Sequence, residues 1–418
     1  MSKHVVVIGG GPGGYVAAIR AAQLGAAVTV VEKDRLGGTC LNAGCIPTKV
    51  LLHSAELYTA MKDEGREFGI FADNLRFDWT AIGERKKKVV DALVGGVEGL
   101  LKSNGVECVY GSACLTALNA VEVAGEDGIR VIGADAVVLA AGSEPAIPSI
   151  PGLDLSDPDI ITSDGALSLG ALPESIVVAG GGVIGVEFAS VFASFGVPVA
   201  VVEILPQILP NIDAEAAAVL RGALEAKGVV LYTDARLENV TRDGSTLVLD
   251  VAAASGPVKL HADKLLVAAG RRPRTDGLGL ETAGVEVRRG RVVVNDRMET
   301  GISNVYAVGD CASPIMLAHV ASREGEVAAE NIMGHGAVMD YKTVPSAVYT
   351  SPAVASVGLS EEAAAKTGAA IRVGRFPLAA NGKSVLSGDA LGMIKIVSED
   401  RYGEVLGVHI VGGPAADM

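Results

Sequence analysis

Short apolar runs, each closed by glycine or an acidic residue, alternate along the chain with longer segments of small or mixed-polarity residues. Val5-Val6-Val7-Ile8 runs into Gly9, and a second apolar run closes at Glu32. Val137-Val138-Leu139-Ala140-Ala141 ends at Gly142, and Val267-Ala268-Ala269 ends at Gly270. Runs that are apolar at every position predict strands buried on both faces, as in a parallel sheet. Val305 to Val308 and Glu404 to Ile410 predict further strands. Phe77 to Gly99, and the segment opened by Met316-Leu317-Ala318-His319, predict helices. Lys86-Lys87-Lys88 is expected on a solvated face, and Cys108, Cys114 and Cys311 as small core residues. Pro145, Pro148, Pro151 and Pro158 follow Gly142 and mark a domain boundary; Pro273 follows Gly270 in the same way.

The pattern is duplicated. HVVVIGGGPGGYVAAIRAAQLGAAVTVVE, ending at Glu32, returns as SIVVAGGGVIGVEFASVFASFGVPVAVVE, ending at Glu203. Gly9, Gly11, Gly14, Gly25 and Glu32 recur 171 positions later as Gly180, Gly182, Gly185, Gly196 and Glu203. Each copy reads as strand, glycine turn, small-residue helix and second strand closed by an acid. In such a unit the first glycine makes the turn, the second admits a pyrophosphate, and the third lets helix pack on strand. The helix N-terminus faces the phosphates, and the acid accepts hydrogen bonds from an adenosine ribose. Glu203 would repel a 2′-phosphate, and Ile204 to Leu209 offer no Arg or Lys to pair with one, so the second copy favours NAD over NADP.

The 418 residues suggest about two to four domains. A net charge of −14 argues against nucleic acid or an anionic membrane as partner. Aromatics are only 4%, so Ala, Val, Leu and Ile must build the cores, and 53 glycines fit an α/β protein with many tight turns. Five cysteines spread along the chain make no secreted disulfide framework, which points to a reducing compartment and a cytoplasmic protein. The first strand begins almost at Met1, so no leader is expected. The apolar stretch from Ser175 to Val202 is punctuated by glycines and Pro198 and divides into strand, helix and strand rather than a membrane span. The six histidines are scattered, and no metal site is expected.

Gly37-Gly38-Thr39-Cys40-Leu41-Asn42-Ala43-Gly44-Cys45-Ile46-Pro47-Thr48-Lys49 holds two cysteines five positions apart. Pro47 is tolerated in a helix's first turn. Residues five apart in a regular helix have Cα atoms roughly 8–9 Å apart, whereas a disulfide needs about 4.4–6.8 Å. Either two reduced cysteines pack in a helix, or the pair bridges across a distorted backbone that Gly44 makes accessible. This thirteen-residue stretch resembles the redox-disulfide signature of the flavin-dependent pyridine nucleotide–disulfide oxidoreductases, with wording closest to dihydrolipoamide dehydrogenases.

The resemblance implies an α/β fold with two Rossmann-like dinucleotide-binding domains, one for FAD and one for NAD, plus an α+β dimer-interface domain incomplete at its C-terminus. The FAD domain would comprise residues 1–145 completed by 274–341, the NAD domain 146–273, and the interface domain 342–418. Cys40 would be the thiol-exchange sulfur and Cys45 the sulfur next to the flavin. Glu187, a carboxylate in an apolar helix and costly unless paired, would pair with Lys49 beside the flavin. The FAD site implied is Gly9, Gly11, Pro12, Gly13, Gly14, Glu32, Lys33, Gly38, Thr39, Lys49, Gly142, Gly309 and Asp310. Asp310 would take the ribityl chain, and Met316, Leu317, Ala318 and His319 would lie against the flavin ring. Gly180, Gly182, Gly185, Glu187, Glu203 and Gly270 would line the NAD side. The implied reaction oxidises dihydrolipoamide, free or on a lipoyl domain of a 2-oxo acid dehydrogenase or glycine cleavage complex, in a homodimer with no membrane partner. Mercuric or glutathione-type reductases, or a non-catalytic FAD-binding protein, are the alternatives.

Two departures stand out. Ala353 occupies a position where the family usually has Glu. Family members also run some forty to fifty residues beyond Met418, through a His-Pro motif and a following Glu that serve as the thiol acid–base group. The resemblance therefore implies either a C-terminally truncated sequence or a protein that has lost this half of the chemistry, with NADH-driven reduction of artificial acceptors retained and lipoamide turnover lower by several orders of magnitude.

Overall fold

The computed structural model describes residues 2–117 and 120–418. The chain forms two compact units, each assembled from three stretches. One takes the chain up to Pro47, Lys87–Glu144 and Arg271–Tyr341; the other takes Thr48–Lys86, Pro145–Gly270 and Lys342–Met418.

In the first unit a five-stranded parallel sheet runs in the order Val305–Ala307, Ala136–Leu139, His4–Ile8, Ala27–Glu32, Glu107–Tyr110. Val5, Val6 and Val7 are fully buried, which is why these strands show no polar alternation. The helix Pro12–Gln23 returns the chain from first strand to second and packs on the helix Ala318–Ile332. Glycine sets that approach: a Cβ on Gly325 would lie 2.4 Å from the Gly13 carbonyl oxygen. An antiparallel hairpin sheet, Ser112–Ala117, Ala120–Gly125 and Gly128–Gly133, is inserted before the fourth strand.

The second unit repeats this order. Its parallel sheet runs Val230–Tyr232, Val199–Val202, Ile176–Ala179, Lys264–Val267, Ile160–Ile161, again with an antiparallel insert, here Arg236–Asp243, Thr246–Ala253 and Gly256–Ala262. The fifth strand differs in origin. In the first unit it follows the repeat by a long detour, and in the second it precedes the repeat.

The same unit carries a five-stranded antiparallel sheet in the order Pro345–Val348, Val354–Gly358, Val405–Val411, Met393–Glu399, Ile371–Pro377. Its inner face includes the fully buried Val397 and Val411 with Lys395 and His409, each 2% exposed. The opposite face presents Phe376, Ile394, Ile396, Val408 and Ile410 in register.

Two expectations need correction. Lys86 is half-buried, its ammonium donates to the Leu167 carbonyl, and burial lowers its pKa. Only Lys87 and Lys88 are exposed, because one turn of the helix Trp79–Ser103 cannot present three consecutive residues to one side. Cys108 and Cys114 are half-buried, and only Cys311 is a core residue, where burial pushes its thiol up to about 11. Among the described residues no helix is long and apolar enough to cross a membrane.

Candidate active site

Both glycine turns are built alike. Gly9 and Gly180 take φ of 109° and 120°, and a Cβ there would sit 2.3 and 2.2 Å from the carbonyl oxygens of Ala140 and Ala268. Gly14 and Gly185 lie on the same turns, where a Cβ would fall 1.8 and 1.9 Å from the oxygens of Gly9 and Gly180. Gly11 and Gly182 are the N-caps of the helices Pro12–Gln23 and Val183–Ser194, and no side chain caps either helix. The closing acids clasp these turns. Glu32 accepts the Gly10 and Asp34 amides at 2.8 and 3.0 Å, and Glu203 accepts the Gly181 and Leu205 amides at 2.6 and 2.8 Å. Each carboxylate keeps lone pairs for a sugar diol. Lys33 is exposed beside Glu32. Two uncapped helix ends behind glycine turns, each with an acid at the sugar end, fit the pyrophosphate and ribose of two dinucleotides.

The cysteine segment is anchored to the first turn. Gly38, at φ 56°, passes so close that a Cβ would lie 2.6 Å from the Gly11 Cα. The short helix Gly38–Ala43 carries Thr39 and Cys40, the chain breaks at Gly44 (φ −153°, ψ −109°), and Cys45 opens the helix Cys45–Thr59. A Cβ on Gly44 would press on the Thr39 carbonyl oxygen at 3.0 Å. Cys40 and Cys45 are both half-buried. Asn42 steadies the bend by donating to the Leu36 and Gly38 carbonyls at 2.9 and 3.0 Å. Tyr15 stands near the pair, and burial first, then Cys40 and Cys45, push its phenol up.

Lys49 and Glu187 meet directly. The ammonium donates to both carboxylate oxygens at 2.8 Å, and Glu187's side chain is only 4% exposed. The Tyr349 amide adds a third bond to Glu187 at 3.0 Å, and its ring lies 4.8 Å from the Lys49 ammonium. Three donated bonds offset the cost of burying this carboxylate in an otherwise apolar helix.

A third group gathers at Gly142, Ser143 and Asp310. Gly309, at φ 69°, opens the short helix Gly309–Cys311, and its amide donates to the buried Glu324 at 2.7 Å. Tyr341 donates to the same carboxylate at 2.6 Å. The Ser143 hydroxyl donates to Asp310 and accepts from Arg271. Met316 and Leu317 are half-buried ahead of the helix Ala318–Ile332, on whose first turn His319 is exposed. Gly142 and Gly270 sit at the strand ends with φ of 72° and 121°, and a Cβ on either would meet nothing within 4 Å.

Sequence reasoning missed Tyr15, Ser143, Arg271 and Tyr349. The position of Tyr15 directly after Gly14, three residues into the helix behind the first glycine turn, was a signal. Tyr349 and Arg271 gave none, because each reaches its partner across more than a hundred residues of chain.

The family model of the pyridine nucleotide-disulphide oxidoreductases matches residues 3–325, and that of the family's dimerisation domain matches residues 344–418. A dihydrolipoyl dehydrogenase of Geobacillus stearothermophilus is 42% identical over 100% of this chain and 88% of the relative. One of Thermus scotoductus is 44% identical over 99% of this chain and 88% of the relative. Among solved structures, LpdA of Mycobacterium tuberculosis has a TM-score of 0.91 at 31% identity, covering 99% of this chain and 91% of that one.

Proposed function

The chain belongs to the pyridine nucleotide-disulphide oxidoreductase family, and we propose that within it Cys40 and Cys45 are the redox pair through which dihydrolipoamide is oxidised to lipoamide. The cofactors are FAD and NAD. The observation that carries the assignment is the break at Gly44 between two cysteines, on a segment that starts by pressing Gly38 against the first dinucleotide turn.

The substrate's two thiols close to a disulfide as the Cys40–Cys45 bond opens by thiol–disulfide exchange. Reoxidation of the pair releases two electrons, which leave with one proton as hydride on NAD+, while the second proton goes to solvent. When bound, FAD carries that electron pair from the cysteines to NAD+. Lys49 lies one helical turn after Cys45, on the same face, where its charge favours the Cys45 thiolate. Glu187 and the Tyr349 ring hold that ammonium in place. Glu32, Gly11 and Asp310 would hold FAD, and Gly182 and Glu203 would hold NAD.

We read residues 1–145 and 274–341 as the FAD domain, 146–273 as the NAD domain and 342–418 as the interface domain. The dimerisation match and the apolar outer face of the C-terminal sheet support a homodimer. Lipoyl domains of 2-oxo acid dehydrogenase or glycine cleavage complexes are the proposed macromolecular substrates. The scattered cysteines support a cytoplasmic location.

Anaerobic addition of dihydrolipoamide should bleach the visible flavin absorbance of the purified flavoprotein. Cys40→Ser should abolish that response while NADH still bleaches the same band. Equal bleaching of wild type and Cys40→Ser by dihydrolipoamide would remove the cysteine pair from the reaction.

A further inference from the structure

Ser143 is 2% exposed, and its hydroxyl is bonded on both sides. Arg271 Nε reaches its oxygen at 2.7 Å, Arg271 Nη2 reaches its backbone carbonyl at 2.9 Å, and Asp310 Oδ2 lies on the other side of the hydroxyl. A guanidinium can only donate. The Ser143 oxygen therefore accepts from Arg271, and its single proton is given to Asp310. The second bond, to the Ser143 carbonyl, fixes the plane of the guanidinium and with it the direction of the chain of bonds. Asp310 Oδ2 is thus committed as an acceptor, and the rest of that carboxylate's acceptor capacity is left for a ligand hydroxyl that must donate. The backbone of the turn is itself held by Glu324, which accepts from the Gly309 amide at 2.7 Å.

We propose that Arg271 is a positioning residue for FAD, acting through Ser143 to hold Asp310 as an acceptor for one ribityl hydroxyl and so setting how selectively the flavin dinucleotide is retained. This rests on the assignment of the first dinucleotide site to FAD. Nearby cations do not replace Arg271 in this role: Arg272 and Arg274 are both engaged by Glu144.

Flavin-stripped protein titrated with FAD, and with FAD analogues each lacking one ribityl hydroxyl, tests the relay. Wild type should bind one of the deoxy analogues about 10- to 100-fold more weakly than FAD, the range for a hydrogen bond to a charged group. Arg271→Met and Ser143→Ala should lose that preference by weakening FAD while leaving the same analogue nearly unchanged. Arg271→Lys, which keeps a donor and the charge, should restore part of it. If Arg271→Met weakens FAD and every analogue equally, with a folded far-ultraviolet spectrum, Arg271 is structural only and the proposal falls. If wild type binds FAD and all analogues alike, the relay falls while the flavin assignment stands. If wild type takes up no FAD, the proposed function fails as well.

Discussion

At the scale of single residues, buried charges carry the sharpest consequences. Lys395 is 2% exposed, and its ammonium is 2.9 Å from both oxygens of Asp213 and 2.7 Å from Glu361. Lys395→Met would strand Asp213 without its main partner, at a cost of about 3–5 kcal/mol. Adding Asp213→Asn should recover part of that loss in urea unfolding. Asp213 also sets a pH dependence. Burial pushes its carboxyl up, but the Lys395 ammonium and the Glu361 amide outweigh it and hold the group below its ordinary value. A carboxyl depressed in the folded state stabilises the fold above its unfolded pKa and loses that contribution as pH falls through the folded one. Urea midpoints should therefore hold steady down to about pH 5 and fall below about pH 4. That acid limb should be shallower in Lys395→Met. At the candidate active site, Lys49→Met should slow flavin bleaching by dihydrolipoamide and also lower the melting temperature, since Glu187 would be left buried with only the Tyr349 amide.

At the scale of elements, the two glycine turns can be perturbed separately. A Cβ on Gly185 would overlap the Gly180 oxygen, and one on Gly14 the Gly9 oxygen. Relieving each clash costs about 1–3 kcal/mol, or roughly five- to a hundredfold in ligand affinity. Gly185→Ala should weaken NAD in equilibrium titration while bound flavin is retained, and Gly14→Ala should do the reverse. The duplication was legible in the sequence because each glycine answers a local steric demand within one strand–turn–helix unit. That Glu187 needs a partner was legible too, since it is a lone acid in an apolar helix, but Lys49 as that partner came only from the resemblance of the cysteine segment. The clasping of each turn by its own closing acid was not, because Glu32 and Glu203 looked like ligand groups alone. Nor was Ser143, whose importance arises only where three distant chain segments converge. Lys86 was misjudged because a run of like charges was read as one face, whereas a helix rotates successive residues by about 100°.

At the scale of the whole molecule, the C-terminal sheet turns Phe376, Ile394, Ile396, Val408 and Ile410 away from its charged inner face. Phe376 and Ile396 remain 45% and 41% exposed in the single chain. An apolar strip of this kind on a dimerisation domain fits a second copy. Ile396→Asp should shift sedimentation toward the monomer without changing the far-ultraviolet spectrum.

The late arrival of Val305–Ala307 bears on how the protein is made. Until that strand leaves the ribosome, the edge of Ala136–Leu139 that it covers stays open in the nascent chain, whereas every strand of the second unit's parallel sheet has already emerged by Val267. On the proposed assignment of the second glycine turn to NAD, translation should thus complete that turn and its sheet first, with flavin uptake awaiting the Gly309-Asp310 turn. Nascent chains stalled with residue 290 at the tunnel exit should capture NAD but no FAD.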